Sequence, residues 1–182
     1  MADRRLRIAT VWLGGCSGCH MSFLDMDEFL IDLAAKIEVV YSPIADIKEY
    51  PDNVDLALVE GAVDNEENQH VLVTARARTK TLVAFGDCAV TGNVTAKRNS
   101  LCGPDCCLRR SYLELADITP QLPEAEGIVP RLLETVLPLH HVVDVDVFLP
   151  GCPPPADRIR KVLEQVLAGQ KPVLTGKDLM FG

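Results

Sequence analysis

Four thiols define the chemistry open to this chain. Cys16 and Cys19 form a Cys-x-x-Cys pair just after a hydrophobic run, and Cys88 and Cys152 each directly follow another such run. If those runs are parallel strands of one sheet, the loops at their carboxyl ends converge on one edge. Four thiolates meeting there suffice to hold a [4Fe–4S] cube, and electron transfer is the chemistry such a site performs.

Each motif has its own physical content. In Gly14-Gly-Cys-Ser-Gly-Cys-His20 the glycines permit a tight turn and leave room for a bulky inorganic core. Backbone N–H groups of such a loop can hydrogen-bond cluster sulfides, which raises the reduction potential. Alone, this motif also fits a thioredoxin-like redox pair or half a zinc site. Two more cysteines at neighbouring strand ends weigh against the first, and the lack of a second closely spaced pair among them weighs against the second. Gly86-Asp-Cys-Ala89 taken alone reads equally as a buried structural cysteine. In Pro150-Gly-Cys-Pro-Pro-Pro155 the prolines fix a rigid turn and shield the cysteine from water, which packing alone does not explain.

The elements that must position these loops are readable from periodicity. Leu6–Leu13, Ile37–Tyr41, Val54–Val59, Thr81–Phe85 and Val143–Leu149 read as strands. Met21–Lys36, Glu66–Arg78 and Ala156–Ala168 read as helices, with Pro155 where a first helical turn tolerates it. Strands alternating with helices of this length predict an α/β fold: a flavodoxin-like five-stranded parallel sheet, order 2-1-3-4-5, with helices on both faces. Ligands of such sheets bind outside the carboxyl ends of the strands. Cys16, Cys19, Glu60, Cys88 and Cys152 all fall there. Residues 1–182 are expected to form a single iron–sulfur domain with an irregular excursion at about 93–142. The excursion holds Cys102, Cys106 and Cys107, several prolines and an amphipathic piece at Val129–Leu137. Excursions of this length are commonly functional or interfacial.

Composition narrows the function classes. The chain is 48% apolar and 24% charged, with net charge -8, which argues against nucleic acid as the main partner. No apolar run approaches a membrane span. Arg4-Arg5 before an apolar run hint at a twin-arginine signal, but Leu6–Leu13 is too short for a leader and runs straight into the cysteine loop. Seven cysteines are an odd count for a disulfide framework. A reducing, cytoplasmic setting is expected, where thiols suit metal or redox chemistry. The fold invites a flavin mononucleotide, yet the cysteine loop stands where its phosphate loop belongs, so none is expected.

Trp12-Leu13 leading to Cys16-Ser-Gly-Cys19, Val59-Glu-Gly-Ala62, Gly86-Asp-Cys-Ala89 and Pro150-Gly-Cys-Pro-Pro154 resemble, in order and spacing, the small subunit of [NiFe] hydrogenases. The resemblance spans almost the whole chain. It implies one [4Fe–4S] cluster, the proximal one, ligated by Cys16, Cys19, Cys88 and Cys152, with the Ni–Fe centre on a separate large subunit. Cys-Ser-Gly-Cys-His-Met-Ser-Phe-Leu-Asp is similar to the cytoplasmic, NAD-linked bidirectional subgroup. In that subgroup electrons pass to a diaphorase module bearing iron–sulfur clusters and flavin, which reduces NAD. The expected function is therefore that of an electron-transfer subunit in a hydrogen:NAD oxidoreductase. The expected partners are the large subunit, through a contact above about 2,000 Å², and the diaphorase, with part of the excursion as its contact. The alternative is the cluster-bearing subunit of a complex I-like dehydrogenase, whose relatives use an adjacent cysteine pair where this chain has a spaced one. A flavodoxin-like binding protein with a structural zinc is a third reading.

Two polar residues stand beside the cysteines. Glu60 is either a proton-path carboxylate facing the large subunit or the cap of a turn. His20 either tunes the cluster from behind its ligands, serves a proton route, or simply starts a helix at a subunit contact. Cys102, Cys106 and Cys107 are expected to be unliganded thiols, although His140 and His141 lie near enough in sequence to complete a metal site with them.

Overall fold

The chain is described here by a computed structural model covering residues 4–181. Its first strand, β1 (Leu6–Trp12), shows why the sheet is central. Ile8 enters one apolar cluster, while Ala9 and Val11 enter another on the opposite face. Successive side chains of a strand point to opposite faces, so a strand covered on both sides must read as a continuous apolar run. The same holds for β3 (Val54–Glu60), whose Leu56 and Leu58 face one cluster and Ala57 and Val59 the other.

With β2 (Ile37–Tyr41), β4 (Val63–Asn65), β5 (Thr79–Phe85), β6 (Leu132–Leu137) and β7 (Val147–Leu149), the main sheet has the order β2-β1-β3-β5-β7. All its pairs are parallel. Numbering these five strands alone gives 2-1-3-4-5, the expected flavodoxin-like order. The helix α3 (Glu66–Arg78) covers one face with Leu72 and Ala75. The other face is covered by α2 (Phe29–Ala34) through Leu33, and by α6 (Ala156–Leu167) through Ile159, Val162 and Leu163. Asn65 caps α3 by accepting a hydrogen bond from the Asn68 N–H at 2.8 Å.

Four expectations need correction. The helix read over Met21–Lys36 is two: α1 (Gly18–Leu24) and α2, separated where Asp27 takes a left-handed φ of 48°. The polar run Asp25 to Glu28 offers an apolar face only Met26 to bury, so the break costs little. The last strand begins at Val147, not Val143, because Asp146 is drawn aside: its carboxylate accepts from the Leu82 N–H at 2.8 Å and pairs with Arg76 at 2.6 Å. The amphipathic piece at Val129–Leu137 supplies β6, which pairs antiparallel with β4, a short strand not anticipated from the sequence. Finally, Cys102 and Cys106 are not free thiols but a disulfide, whereas Cys107 is free. They stand four residues apart at the start of α5 (Gly103–Arg109), which brings their Cα atoms to 5.7 Å, within bridging range. Among the described residues no helix is long and apolar enough to cross a membrane.

Candidate functional site

Three strand ends build the site. β1 leads through Leu13, Gly14 and Gly15 to Cys16, and Cys19 lies in the first turn of α1. β5 ends at Phe85, and Cys88 lies in the short helix α4 (Asp87–Thr91). β7 ends at Leu149, three residues before Cys152. Because neighbouring parallel strands end together, all three loops lie on one edge of the sheet.

Hydrogen bonds knit the loops. The Leu13 N–H donates to the Glu60 carbonyl at 2.8 Å, and Gly14 and Ala62 exchange a pair of backbone bonds. The Gly86 N–H donates to Leu149 O at 2.8 Å. The Asp87 N–H donates to Gly151 O, and the buried Asp87 carboxylate accepts the Gly151 N–H at 2.6 Å in return. The Ser22 hydroxyl of α1 donates to the Pro154 carbonyl at 2.6 Å. Asp87 and Ser22 were not singled out from the sequence. Asp87 sits beside a motif cysteine, but its partner is 64 residues away.

The thiols differ in exposure: Cys19 and Cys88 are buried, Cys16 and Cys152 exposed. They are near enough to repel one another as thiolates. Burial pushes the Cys19 thiol far above its ordinary pKa, and Glu60 and the charges of Cys88, Cys16 and Cys152 push it further. Cys88 is also raised, chiefly by burial, although the Val94 N–H and the Thr95 hydroxyl partly offset this. Gly86 is the cradle of this arrangement. Its φ is +86°, and a Cβ there would stand 2.2 Å from Cys19 Sγ. Only glycine accommodates both conditions.

Glu60 and His20 meet. Glu60 is 1% exposed. Its carboxylate accepts the backbone N–H of His20 at 3.0 Å and also binds the His20 ring through Nδ1. Glu60 therefore ties the end of β3 to the first turn of α1, as a capping group would. The Nε2 atom of His20 is buried and without a hydrogen-bond partner among the described residues, and its ring packs tilted against Trp12 and Phe85. His140 and His141 are elsewhere, meeting edge-to-face with each other and, for His140, edge-to-face with Phe148. They do not join the cysteines of the excursion.

The donor set is four free thiols, the donor type that iron–sulfur clusters take. Among the described residues no three His, Cys, Asp or Glu side chains are gathered closely enough around one point to hold a single metal ion. A zinc ion requires its donors within about 2.3 Å. A cube accepts four thiolates spread around a larger body; Cys16, Cys19, Cys88 and Cys152 are free thiols near enough to one another to interact as charges, and thiolates are the donors iron–sulfur clusters take.

Comparison with known proteins agrees in kind. Residues 16–166 match the family model of the NADH ubiquinone oxidoreductase 20 Kd subunit. The NAD-reducing hydrogenase HoxS subunit delta of Cupriavidus necator is 40% identical over 174 residues, which cover 92% of this chain and 81% of that protein. A vhu F420-non-reducing hydrogenase subunit of Methanococcus voltae is 37% identical over 178 residues, covering 97% of this chain and 61% of the relative, so the chain spans about three fifths of that protein's length. A chain in the crystal structure of an NAD+-reducing [NiFe]-hydrogenase in the H2-reduced state superposes with a TM-score of 0.92 at 39% identity, covering 98% of this chain and 100% of that one. A [NiFeSe]-hydrogenase chain, at 16% identity and a TM-score of 0.59, shares the fold alone. The chain thus belongs to the NADH ubiquinone oxidoreductase 20 Kd subunit family, and within it stands with the small subunits of hydrogenases, as an oxidoreductase subunit.

Proposed function

We propose that this chain is the electron-transfer small subunit of an NAD-reducing [NiFe] hydrogenase, holding one [4Fe–4S] cluster through Cys16, Cys19, Cys88 and Cys152. The observation that carries the reading is four free thiols on three separate loops near enough to interact as charges, Cys19 and Cys88 buried and Cys19 against Gly86. Ionising Cys19 in that setting is costly until a cationic core offsets the charge, and a coordinating thiol gives up its proton outright. When bound, the cluster supplies one-electron transfer between two redox partners.

The chain's own residues hold and shelter that position. Asp87 and Ser22 lock the loops and Glu60 fixes α1, whereas the Pro150–Pro155 turn leaves Cys152 exposed, contrary to the shielding expected from its prolines. Cys16, Cys152 and Trp12 at the end of β1 are exposed, so a large subunit bearing the Ni–Fe centre would close over this edge. The excursion presents Leu101, Tyr112, Leu115 and Ile118 to solvent, which suits a contact with an iron–sulfur subunit of a flavin-bearing diaphorase. A cytoplasmic setting accords with this reading. The complex I-like dehydrogenase alternative is not favoured, because the relatives described above are hydrogenase subunits and the cysteine pair is spaced, not adjacent.

The test is iron and sulfide analysis of the purified complex beside its hydrogen-dependent NAD reduction. Cys152→Ala is expected to lose the cluster of this chain and the activity together, and Cys107→Ala to keep both. Full iron content in the Cys152→Ala complex would refute the ligand assignment.

A further inference from the structure

The turn that leaves the Cys88 helix does more than reverse the chain. α4 ends at Gly92, with φ +83°, and Asn93 follows with φ +32°. Glycine and asparagine are the residues that tolerate such angles, so turn formation alone accounts for a Gly-Asn pair here. It does not account for where the asparagine side chain goes. Nδ2 of Asn93 donates to the sulfur of Cys152 at 3.4 Å, across 59 residues of sequence. The turn is held in place for this contact. The Asn93 N–H donates to the Thr91 hydroxyl at 3.4 Å, and the Thr95 hydroxyl donates to the Gly14 carbonyl of the first cysteine loop at 2.9 Å. Val94 and Thr95 also face the Cys88 sulfur, whose ionisation they favour. One short turn therefore touches two of the four thiols and the loop that carries the other two.

We propose that Asn93 sets the reduction potential of the cluster, by donating its amide N–H to the Cys152 thiolate from outside the ligand set. The inference rests on the cluster reading given above. Adding an electron raises the negative charge on the ligating sulfurs, so a donor aimed at one of them stabilises the reduced state more than the oxidised one. Asn93 is a tuning residue and takes no part in ligation. Thr95 is its anchor.

Two substitutions in the whole hydrogenase complex separate this role from the turn. Asn93→Gly keeps the backbone freedom that φ +32° needs and removes the donor. Asn93→Asp keeps the shape and replaces the donor by a negative acceptor. The readout is a redox titration followed by electron paramagnetic resonance, on the signal that the Cys152→Ala complex lacks. With iron and sulfide unchanged, Asn93→Gly is expected to lower the one-electron reduction equilibrium constant about threefold to tenfold, the range of one net hydrogen bond. A tenfold change corresponds to about 59 mV for a one-electron couple. Asn93→Asp is expected to lower it further. A fully loaded Asn93→Gly complex whose equilibrium constant moves less than threefold overturns the proposal. If Asn93→Gly loses iron, the titration of Asn93→Asp decides by the same threshold, and loss of iron from both variants overturns tuning in favour of a purely structural role. A wild-type complex with no signal dependent on Cys152 overturns the function reading itself, and this inference with it.

Discussion

On one side of the cysteine site, Cys19 lies in the first turn of α1 beside the buried carboxylate of Glu60; on the other, Cys88 and Cys152 lie on loops clamped by Asp87 and faced by the Asn93–Thr95 turn. The first side resists ionisation of its thiol, through burial and a like charge. On the second side burial raises the Cys88 thiol as well, but there the Val94 N–H and the Thr95 hydroxyl partly offset it. The contrast shows how one site divides two tasks: strand-end geometry brings the sulfurs together, and polar groups set far apart in sequence decide how much negative charge each sulfur tolerates.

The junction between the two sides is where the contrast breaks most easily. Gly86→Ala puts a methyl group on Cys19 Sγ and forces φ +86° on a residue with a Cβ. The backbone cost alone is about 1–2 kcal/mol. The complex is expected to lose most of the iron bound to this chain, measured by iron and sulfide content, with a lower Tm. Full loading of the Gly86→Ala complex would mean that the two sides tolerate being pushed apart.

Breaking the second side alone is the next largest effect. Asp87→Ala leaves the Gly151 N–H without its acceptor, at a cost of about 1–3 kcal/mol for a buried donor. The expected outcome is a lower denaturation midpoint and faster iron release to a chelator, with Asp87→Asn intermediate. Equal chelation rates for wild type and Asp87→Ala would show that the Cys152 loop is held by its prolines without the clamp.

Glu60→Gln sharpens the first side. It removes a negative charge near Cys19 and keeps an oxygen to accept the His20 N–H. The cluster is expected to become easier to reduce, by a severalfold change in the equilibrium, opposite in sign to Asn93→Gly. A shift in the same direction for both variants would remove the electrostatic distinction between the sides.

The smallest effect belongs to a control distant from the cysteines, at the opposite end of β7. Burial disfavours the Asp146 carboxylate, but the Leu82 N–H and Arg76 outweigh it and hold its pKa below the usual aspartate value. A depressed folded pKa contributes stability that is fully present above the unfolded value, about 3.9. That stability is lost as pH falls through the folded value. Asp146→Asn is therefore expected to cost roughly 1–2 kcal/mol at neutral pH, the worth of a charge-assisted bond, with the gap to wild type closing below about pH 4. Iron content is expected to stay unchanged, and thermal melts across pH check both points.

What residue order determined by itself is local. The parallel strands are legible because burial on both faces demands unbroken apolar runs, and the sheet order follows from their alternation with helices. The cysteines are legible because each directly follows such a run, and strand ends of a parallel sheet share an edge. Tertiary structure alone decided the rest. The Glu60–His20 contact spans 40 residues, Asn93–Cys152 59 and Asp87–Gly151 64. Nothing in the local pattern around Asn93 or Asp87 distinguishes a turn residue from a group aimed at another loop. The split of the first helix at Asp27, the β4–β6 ladder and the Cys102–Cys106 bridge belong to the same class. Periodicity reports which face of an element is buried; which polar atoms meet depends on where the packed sheet sends each loop, and only the assembled core sets that.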